Sequence, residues 1–188
     1  MKYTTQPRWS RASIIGVALA TVVLTFFPAG ETAAQGPTYD ITVNPVDLVN
    51  GQFNFEFEGA VSPFASLHAG VNFLVWDGVF TDDSGDTFTI GPEVGFRLFP
   101  FMGAPEGLWL GPYAGLAYVH ASRGGSDATG MGYYFGGMVG ATLILFDFLV
   151  GSVGAGLGHA DLSKVVNGTE VGPNGLTPRF RLAVGFAF

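Results

Sequence analysis

Six charged side chains of opposite sign recur in strand-like segments, and they are the residues best able to do chemistry. They are Glu56, Glu58, Glu93, Arg97, Arg179 and Arg181. Each shares its parity with small or polar neighbours, so in an extended chain all six would lie on the face opposite the large apolar residues. Collected in one narrow interior, these acids and bases would pair, because an unpaired buried charge is costly. We therefore predict a network of ion pairs, with a gated ion path through the same charges as the alternative.

His68 has the same parity as these charges, and we expect it to join the network. A tight turn at Ser62-Pro63 would set the register of the strands on either side of it. In that register His68 lies opposite Glu58 and level with Arg97. A histidine beside a carboxylate also invites an interpretation as an enzyme site, but a partner within the ion-pair network is the favoured role.

The other two histidines lie close in sequence to groups that a hydrolase would use. His120 is followed by Ser122, and His159 is followed by Asp161 and Ser163. A hydrolase or acyltransferase acting on lipid A would need a serine, a histidine and a carboxylate within reach of one another. Neither grouping forms a recognisable motif. We expect no catalytic residue and no enzyme activity, with lipid A modification kept as an alternative.

Three acidic residues, Asp82, Asp83 and Asp86, cluster in a polar segment between predicted strands. Carboxylate oxygens are ligands that Ca²⁺ prefers. The spacing lacks a complete calcium-binding loop, so a solvated loop tip is the favoured interpretation. With no cysteine in the chain and no other cluster of metal-ligating residue types, we expect no metal, no cofactor and no disulfide.

The elements that position these side chains are eight segments in which apolar residues alternate with small or polar ones. They cover residues 39–45, 51–61, 65–76, 87–99, 108–121, 131–145, 148–161 and a final strand up to residue 188. Short links at 62–63, 100–106 and 146–147 alternate with long links at 77–86, 122–130 and 162–176, as in a barrel with turns at one end and loops at the other. The first strand is inferred partly because seven strands would not close with antiparallel neighbours. Near-repeats around Pro92 and Pro112 indicate bulges or kinks.

The final strand shows the alternation most clearly. Its apolar parity consists of Phe180, Leu182, Val184, Phe186 and Phe188, and its other parity of Arg179, Arg181, Ala183, Gly185 and Ala187. A continuous apolar face opposite a small or charged one is typical of a wall whose outside contacts lipid. The sequence therefore predicts an all-β protein, an eight-stranded antiparallel transmembrane β-barrel with the charges in its lumen.

Composition indicates one membrane-associated domain behind a targeting segment. Of the 188 residues, 48% are hydrophobic and 12% are charged, whereas about a quarter are charged in soluble domains. The net charge of −7 argues against a nucleic-acid partner. Basic residues precede an apolar run over residues 12–27, and small residues at Thr32 and Ala34 suit cleavage before Gln35. We predict a cleaved signal peptide over residues 1–34 and a barrel domain over residues 35–188.

The chain resembles the small bacterial outer-membrane β-barrel proteins, of the size of OmpA, OmpX and OmpW barrels. The resemblance rests on the strand ending at Phe188 and on an opening motif, Asn44-Pro45-x-x-Leu48-x-x-Gly51, found in a subgroup described mostly by its architecture. It implies localisation in the bacterial outer membrane, contact with lipid and lipopolysaccharide, and insertion by the barrel-assembly machinery. The implied insertion signal is the apolar set Phe180, Leu182, Val184, Phe186 and Phe188. It implies no catalytic residue, and we expect a monomer.

Together these features favour a barrel whose lumen is plugged by Glu/Arg pairs and which acts structurally or through its external loops. The first alternative is a conduit for small hydrophobic molecules, as in OmpW-like barrels. It would need an open upper lumen, where Trp76, Trp109 and Tyr134 have inward parity. The second alternative is the lipid A-modifying enzyme.

Overall fold

The computed structural model describes residues 36–45, 52–76, 86–101 and 103–188, without the side chains of Gln52 and Trp76. They belong to one unit of the chain, Ala33–Phe188. The predicted signal peptide, together with Asp82 and Asp83, lies outside the described residues. Among the described residues, no helix is long and apolar enough to cross a membrane.

Ten strands form from the alternating segments. They are β1 (Tyr39–Val43), β2 (Gln52–Ser62), β3 (Ala65–Trp76), β4 (Asp86–Leu98), β5 (Gly107–Arg123), β6 (Ser126–Leu145), β7 (Leu149–Asp161), β8 (Lys164–Val166), β9 (Thr169–Val171) and β10 (Asn174–Ala187). Eight of them close into a ring in the order β1-β10-β7-β6-β5-β4-β3-β2, and β8 and β9 form a separate hairpin. Every neighbouring pair is antiparallel. The predicted all-β, eight-stranded antiparallel barrel is confirmed.

The short first strand closes the ring, as the parity of the strands required. Within β1, Asp40 pairs with Ala187 of β10 on one side and with Glu58 of β2 on the other. The β2–β3 register places Glu58 opposite His68, which confirms the register predicted from the turn. Side chains alternate between buried and exposed along the ring strands, and the buried charged residues occupy inward positions.

Two predicted connections are wrong. The long loop at 122–130 is a tight turn, because β5 continues to Arg123 and β6 begins at Ser126. Gly124 and Gly125 between them have φ of 58° and 79°, the left-handed region that a two-residue hairpin turn needs. The connection at 162–176 is not a plain loop either, since it carries the β8–β9 hairpin.

The two proline positions do not form bulges. The β4–β5 register is unchanged on both sides of them, from Ile90 opposite Tyr118 to Leu98 opposite Leu110. The pairings are interrupted near Pro92 and Pro112, as expected for a residue that has no N–H to donate. The prolines therefore interrupt the ladder without shifting it.

Apolar side chains fill the lumen in layers between its two ends. The turn end carries the links 63–64 and 146–148, and the loop end carries the β8–β9 hairpin. The layer nearest the turn end consists of Phe99, Ala104, Trp109, Tyr113 and Met138. The layer nearer the loop end consists of Leu74, Ala117, Val119, Ala160 and Leu162, and beyond it Ala121 packs against Val166 and Val171 of the hairpin. Tyr134 packs against the first two layers. Arg97 and Arg179 lie over the rings of Trp109 and Tyr113 in the layer nearest the turn end.

Candidate functional site: the charged lumen

The barrel brings the seven predicted network residues together in its interior. Glu56 and Glu58 come from β2, His68 from β3, Glu93 and Arg97 from β4, and Arg179 and Arg181 from β10. Each has inward parity, and all except Arg179 are less than a tenth exposed. Every second residue of a strand points to the same side of the wall, and these charged residues occupy positions on the side that faces the lumen.

Glu56 is the centre of the network. Arg97 donates from Nη2 to its Oε1 at 2.7 Å, and Arg181 donates from Nη1 to its Oε2 at 3.0 Å. His68 Nε2 lies 3.9 Å from the same Oε2. Two guanidinium groups therefore share one carboxylate that is 1% exposed. Charge-assisted bonds of this kind are the strong ones, and they fix geometry as well as charge.

Arg97 joins this centre to a second acid. It donates to Glu58 through Nη1, and the Ser66 hydroxyl donates to the other oxygen of Glu58. The guanidinium carbon of Arg97 also lies over the face of the Trp109 ring, 4.6 Å from its centre. A cation over an aromatic face is attracted by the ring. Arg97 is thus held by two carboxylates and one indole.

A second pair lies further from the turn end. Arg179 makes two parallel bonds to Glu93, of 2.6 and 2.9 Å, and stacks 4.3 Å from the centre of the Tyr113 ring. Asn72 donates to Glu93 at 2.7 Å and lies 2.5 Å from the hydroxyl oxygen of Tyr134. Each of these two arginines is therefore backed by an inward aromatic residue of β5.

Hydroxyl groups that sequence analysis did not single out complete the network. Trp109 Nε1 donates to Thr142 Oγ1 at 3.1 Å, and Thr142 donates to Ser152 Oγ at 3.0 Å. Arg181 donates to Ser152 at 3.2 Å and to Thr42 at 3.0 Å. All three hydroxyl residues, Thr42, Thr142 and Ser152, have inward parity, and this parity could have identified them from the sequence as lumen residues.

Inward glycines make room for the bulky side chains of the lumen. A Cβ on Gly115 would overlap the ring of Tyr134, and one on Gly95 would overlap the imidazole of His68. A Cβ on Gly140 would overlap the indole of Trp109. The lumen is narrow enough that a single methyl group at these positions displaces a network residue or its support.

Three ligand-type side chains border a small cavity in the network. Glu56, His68 and Glu93 offer atoms within 4.8 Å of one another, and the cavity of about 10 Å³ has room for about one water molecule. Both carboxylates already accept bonds from arginine side chains. A cation here would have to displace one guanidinium and would lie beside the two that remain, so the arrangement suits an ion-pair network better than a metal site.

Asp40 is a fourth lumen acid that sequence analysis did not single out. It is 1% exposed, and neither of its carboxylate oxygens has a hydrogen-bond partner. Its inward parity with Thr42 in the first predicted strand was the signal that could have found it. The sequence analysis counted three lumen acids against three arginines, whereas the described lumen contains four acids.

The remaining candidate residues lie away from this network. His159 is on the outer face, its ring 5.8 Å from that of Phe135 and 6.3 Å from that of Tyr133. His120 is also on the outer parity, opposite Phe88 of β4. Asp86 is exposed at the start of β4. The predicted insertion-signal residues, Phe180, Leu182, Val184, Phe186 and Phe188, are all exposed, with the first four on the outer face of β10.

No protein-family model, curated protein or solved structure matches the chain. The two faces of the barrel wall are therefore the basis for assigning a function. The inner face provides three glutamates paired with three arginines, beside the unpaired Asp40, and the outer face provides an exposed apolar surface.

Proposed function

We propose that this protein is an integral β-barrel of a bacterial outer membrane, with a lumen closed by ion pairs, and that it acts structurally or through its external surface. One observation carries the proposal: the wall is apolar outside and charged inside, the reverse of a water-soluble barrel. Large apolar side chains are exposed on seven of the eight ring strands. They include Phe55, Leu67, Val94, Leu110, Phe135, Val139, Val153, Leu157, Phe180 and Leu182.

The height of this apolar surface suits a membrane. On β10 the outward positions run from Leu176 to Phe186, which is 186 − 176 = 10 residue steps. At about 3.3 Å per residue they cover about 33 Å, or about 25 Å along the barrel axis for a strand tilt of about 40°. The apolar band of outer-membrane barrels is about 25 Å tall.

Charge and aromatic residues are distributed as expected at the edges of such a band. Among the described outward positions of the ring strands, the acidic residues Asp86, Asp127 and Asp161 all lie near the loop end. Tyr118 and Tyr133 lie at the same end, and exposed phenylalanines gather at the turn end, at Phe64, Phe101, Phe146 and Phe148. Aromatic girdles flank the apolar band at both interfaces of known outer-membrane barrels.

A closed lumen supports a structural or surface role over transport. The turn end is filled by Phe99, which is fully buried, and by Trp109, and the loop end is covered by Val166 and Val171 of the hairpin. Between them, Glu56, Glu58 and Glu93 are held by arginines. Contact with other molecules is then left to the lipid-facing wall and to the loop end.

The packing gives no support to a conduit for small hydrophobic molecules. Such a path needs open apolar space in the upper lumen, but Leu74, Val119 and Leu162 fill that region, and Tyr134 packs against them. A lipid A-modifying enzyme would need a serine, a histidine and a carboxylate in contact. The ring of His159 instead packs near the rings of Tyr133 and Phe135.

Conductance of the refolded barrel in planar bilayers tests the closed lumen. We expect silent wild-type protein, leaky Glu58→Ala and Arg97→Ala variants, and a silent Asp127→Ala control, since Asp127 is exposed. Discrete channels in the wild-type protein would overturn the plug and make transport the leading function.

Cell fractionation tests the location. The full chain expressed in a Gram-negative host should sediment with the outer membrane and resist extraction by urea. Recovery of the folded protein from the soluble periplasmic fraction would contradict the proposal, whatever its conductance.

A further inference from the structure

The carboxyl group of Asp40 is the buried acid for which the described lumen provides no partner. It is 1% exposed, and neither oxygen accepts a hydrogen bond. The three other lumen acids, Glu56, Glu58 and Glu93, each bind an arginine side chain. We propose that Asp40 is a proton-binding site, and that closure of the ring by β1 is coupled to the uptake of that proton.

Counting the charges shows why the lumen needs one more positive charge. Four buried carboxylates, Asp40, Glu56, Glu58 and Glu93, face three guanidinium groups in the described residues. All three guanidiniums are committed to the glutamates. An ionised Asp40 would be a buried charge without a hydrogen-bonded partner, which is among the costliest arrangements in a protein interior.

The groups that face Asp40 do not provide its counter-charge. Glu58 lies directly opposite it on β2, Glu56 is the next inward acid on that strand, and Ala187 lies opposite it on β10. Arg97 of β4 and Arg181 of β10 attract it and Glu56 repels it. The hydrogen bonds that these arginines make go to other groups, and the buried Nε of Arg97 makes none, to Asp40 or to any other atom. His68 of β3 turns its Nε2 toward Glu56.

Space decides in favour of a proton over a metal ion. The small lumen cavity is lined by Glu56, His68, Glu93 and the arginines, and Asp40 is not part of its lining. A hard cation needs several oxygen ligands around it. A proton needs one oxygen and no additional room.

The position of Asp40 links this proton to the weakest part of the ring. β1 has five residues; Asp40 to Val43 pair with β10, and Tyr39 exchanges backbone hydrogen bonds with Phe188 just after that strand. If the folded barrel holds a proton that the unfolded chain releases, the stability of the fold decreases as the pH rises. One linked proton changes the folding equilibrium constant by at most about tenfold per pH unit.

The test is the unfolding of the full barrel in phosphatidylcholine vesicles between about pH 5.5 and about pH 9, followed by its denaturant midpoint. We expect the wild-type midpoint to fall as the pH rises. Asp40→Asn, the neutral isostere, should keep the low-pH midpoint throughout, and Asp127→Asn should behave as wild type. Infrared spectra of the wild-type protein at neutral pH should show a protonated carboxyl band that moves on ¹³C-aspartate labelling and is lost in Asp40→Asn.

Several results would overturn this assignment. They are the absence of the labelled carboxyl band, a failure of Asp40→Asn to fold, or a pH dependence that persists in Asp40→Asn and disappears in His68→Gln. A midpoint that depends on Na⁺ against K⁺ at constant pH and ionic strength would replace the proton by a metal cation. None of these readouts depends on conductance, so a conducting barrel would leave the Asp40 assignment standing.

Discussion

The two faces of β10 are made from the same short stretch of chain, yet they follow different rules. Inside, Arg179 and Arg181 each have named partners at hydrogen-bond distance on other strands. Outside, Phe180 is 64% exposed and Leu182 is 43% exposed. The inner face is determined pair by pair, whereas the outer face requires only that each side chain be apolar.

This difference follows from what surrounds each face. A charge in a closed lumen has to find its partner within the protein, because water cannot reach it. In the proposed membrane, an outer side chain would meet the same hydrocarbon at any rotation and would need no particular neighbour. Substitutions on the inner face should therefore lower the free energy of unfolding when they remove a hydrogen-bond or ion-pair partner. Substitutions on the outer face should lower it only when they introduce a polar or charged group.

The largest effect should come from Glu56→Gln. The amide keeps the size of the side chain but leaves Arg97 and Arg181 without the charge they share. Removing one partner of a buried ion pair costs about 3–5 kcal/mol, because the remaining charge stays buried. Denaturant titration of the barrel refolded in vesicles measures the loss in free energy of unfolding.

Asp127→Asn is the matched control for that variant, since it removes an exposed carboxylate from β6 and should cost less than about 0.5 kcal/mol. Equal costs for the two variants would mean that the lumen charges are solvated, and the contrast between the faces would fail.

The outer face should respond most strongly to Leu182→Arg. Leu182 lies near the middle of the outward positions between Leu176 and Phe186, so in the proposed membrane an arginine there would face the centre of the bilayer. The expected cost is about 2–4 kcal/mol for the barrel in vesicles, against about 0–1 kcal/mol for Phe186→Arg nearer the interface. If Leu182→Arg is tolerated, its side chain faces water, and the membrane proposal is wrong.

A smaller effect separates the faces by adding one methyl group. Gly115 is inward, and a Cβ there would overlap the ring of Tyr134, whereas a Cβ on Gly151 of β7 meets nothing within 4 Å. Overpacking costs about 1–3 kcal/mol, so Gly115→Ala should destabilise the barrel while Gly151→Ala should not. The comparison is made from the two denaturant midpoints, and a similar value for both would mean that the lumen can expand.

The alternation of side chains made most of the fold predictable from sequence. Parity alone separated Phe180 and Leu182 from Arg179 and Arg181, and the Ser62-Pro63 turn set Glu58 opposite His68. A shift of one residue would have exchanged the two faces, so the register is strongly determined wherever one face is charged.

The failures occurred where the pattern carries less information. The segment around Gly124 and Gly125 was assigned to a long loop although a Gly-Gly pair between alternating runs is itself a hairpin signal. Asp40 was overlooked because its strand is only five residues long, too few for the alternation to be persuasive. The choice of partners within the network was not predictable, since any of the three arginines could reach more than one acid across a narrow lumen.

The smallest predicted effect belongs to neither face and isolates the backbone. Phe146 and Asp147 join β6 to β7 with φ of 56° and 62°, a conformation that glycine adopts without steric cost. Asp147→Gly should therefore stabilise the barrel by about 0.5–1 kcal/mol, and Gly124→Ala at φ of 58°, where a Cβ meets nothing, should cost about as much. Both changes are read from denaturant midpoints. Suppose Asp147→Gly leaves the stability of the barrel unchanged while Gly124→Ala lowers it. Hydrogen bonds of the Asp147 side chain would then offset its backbone strain, and this turn, like the inner face, would be stabilised by specific side-chain bonds.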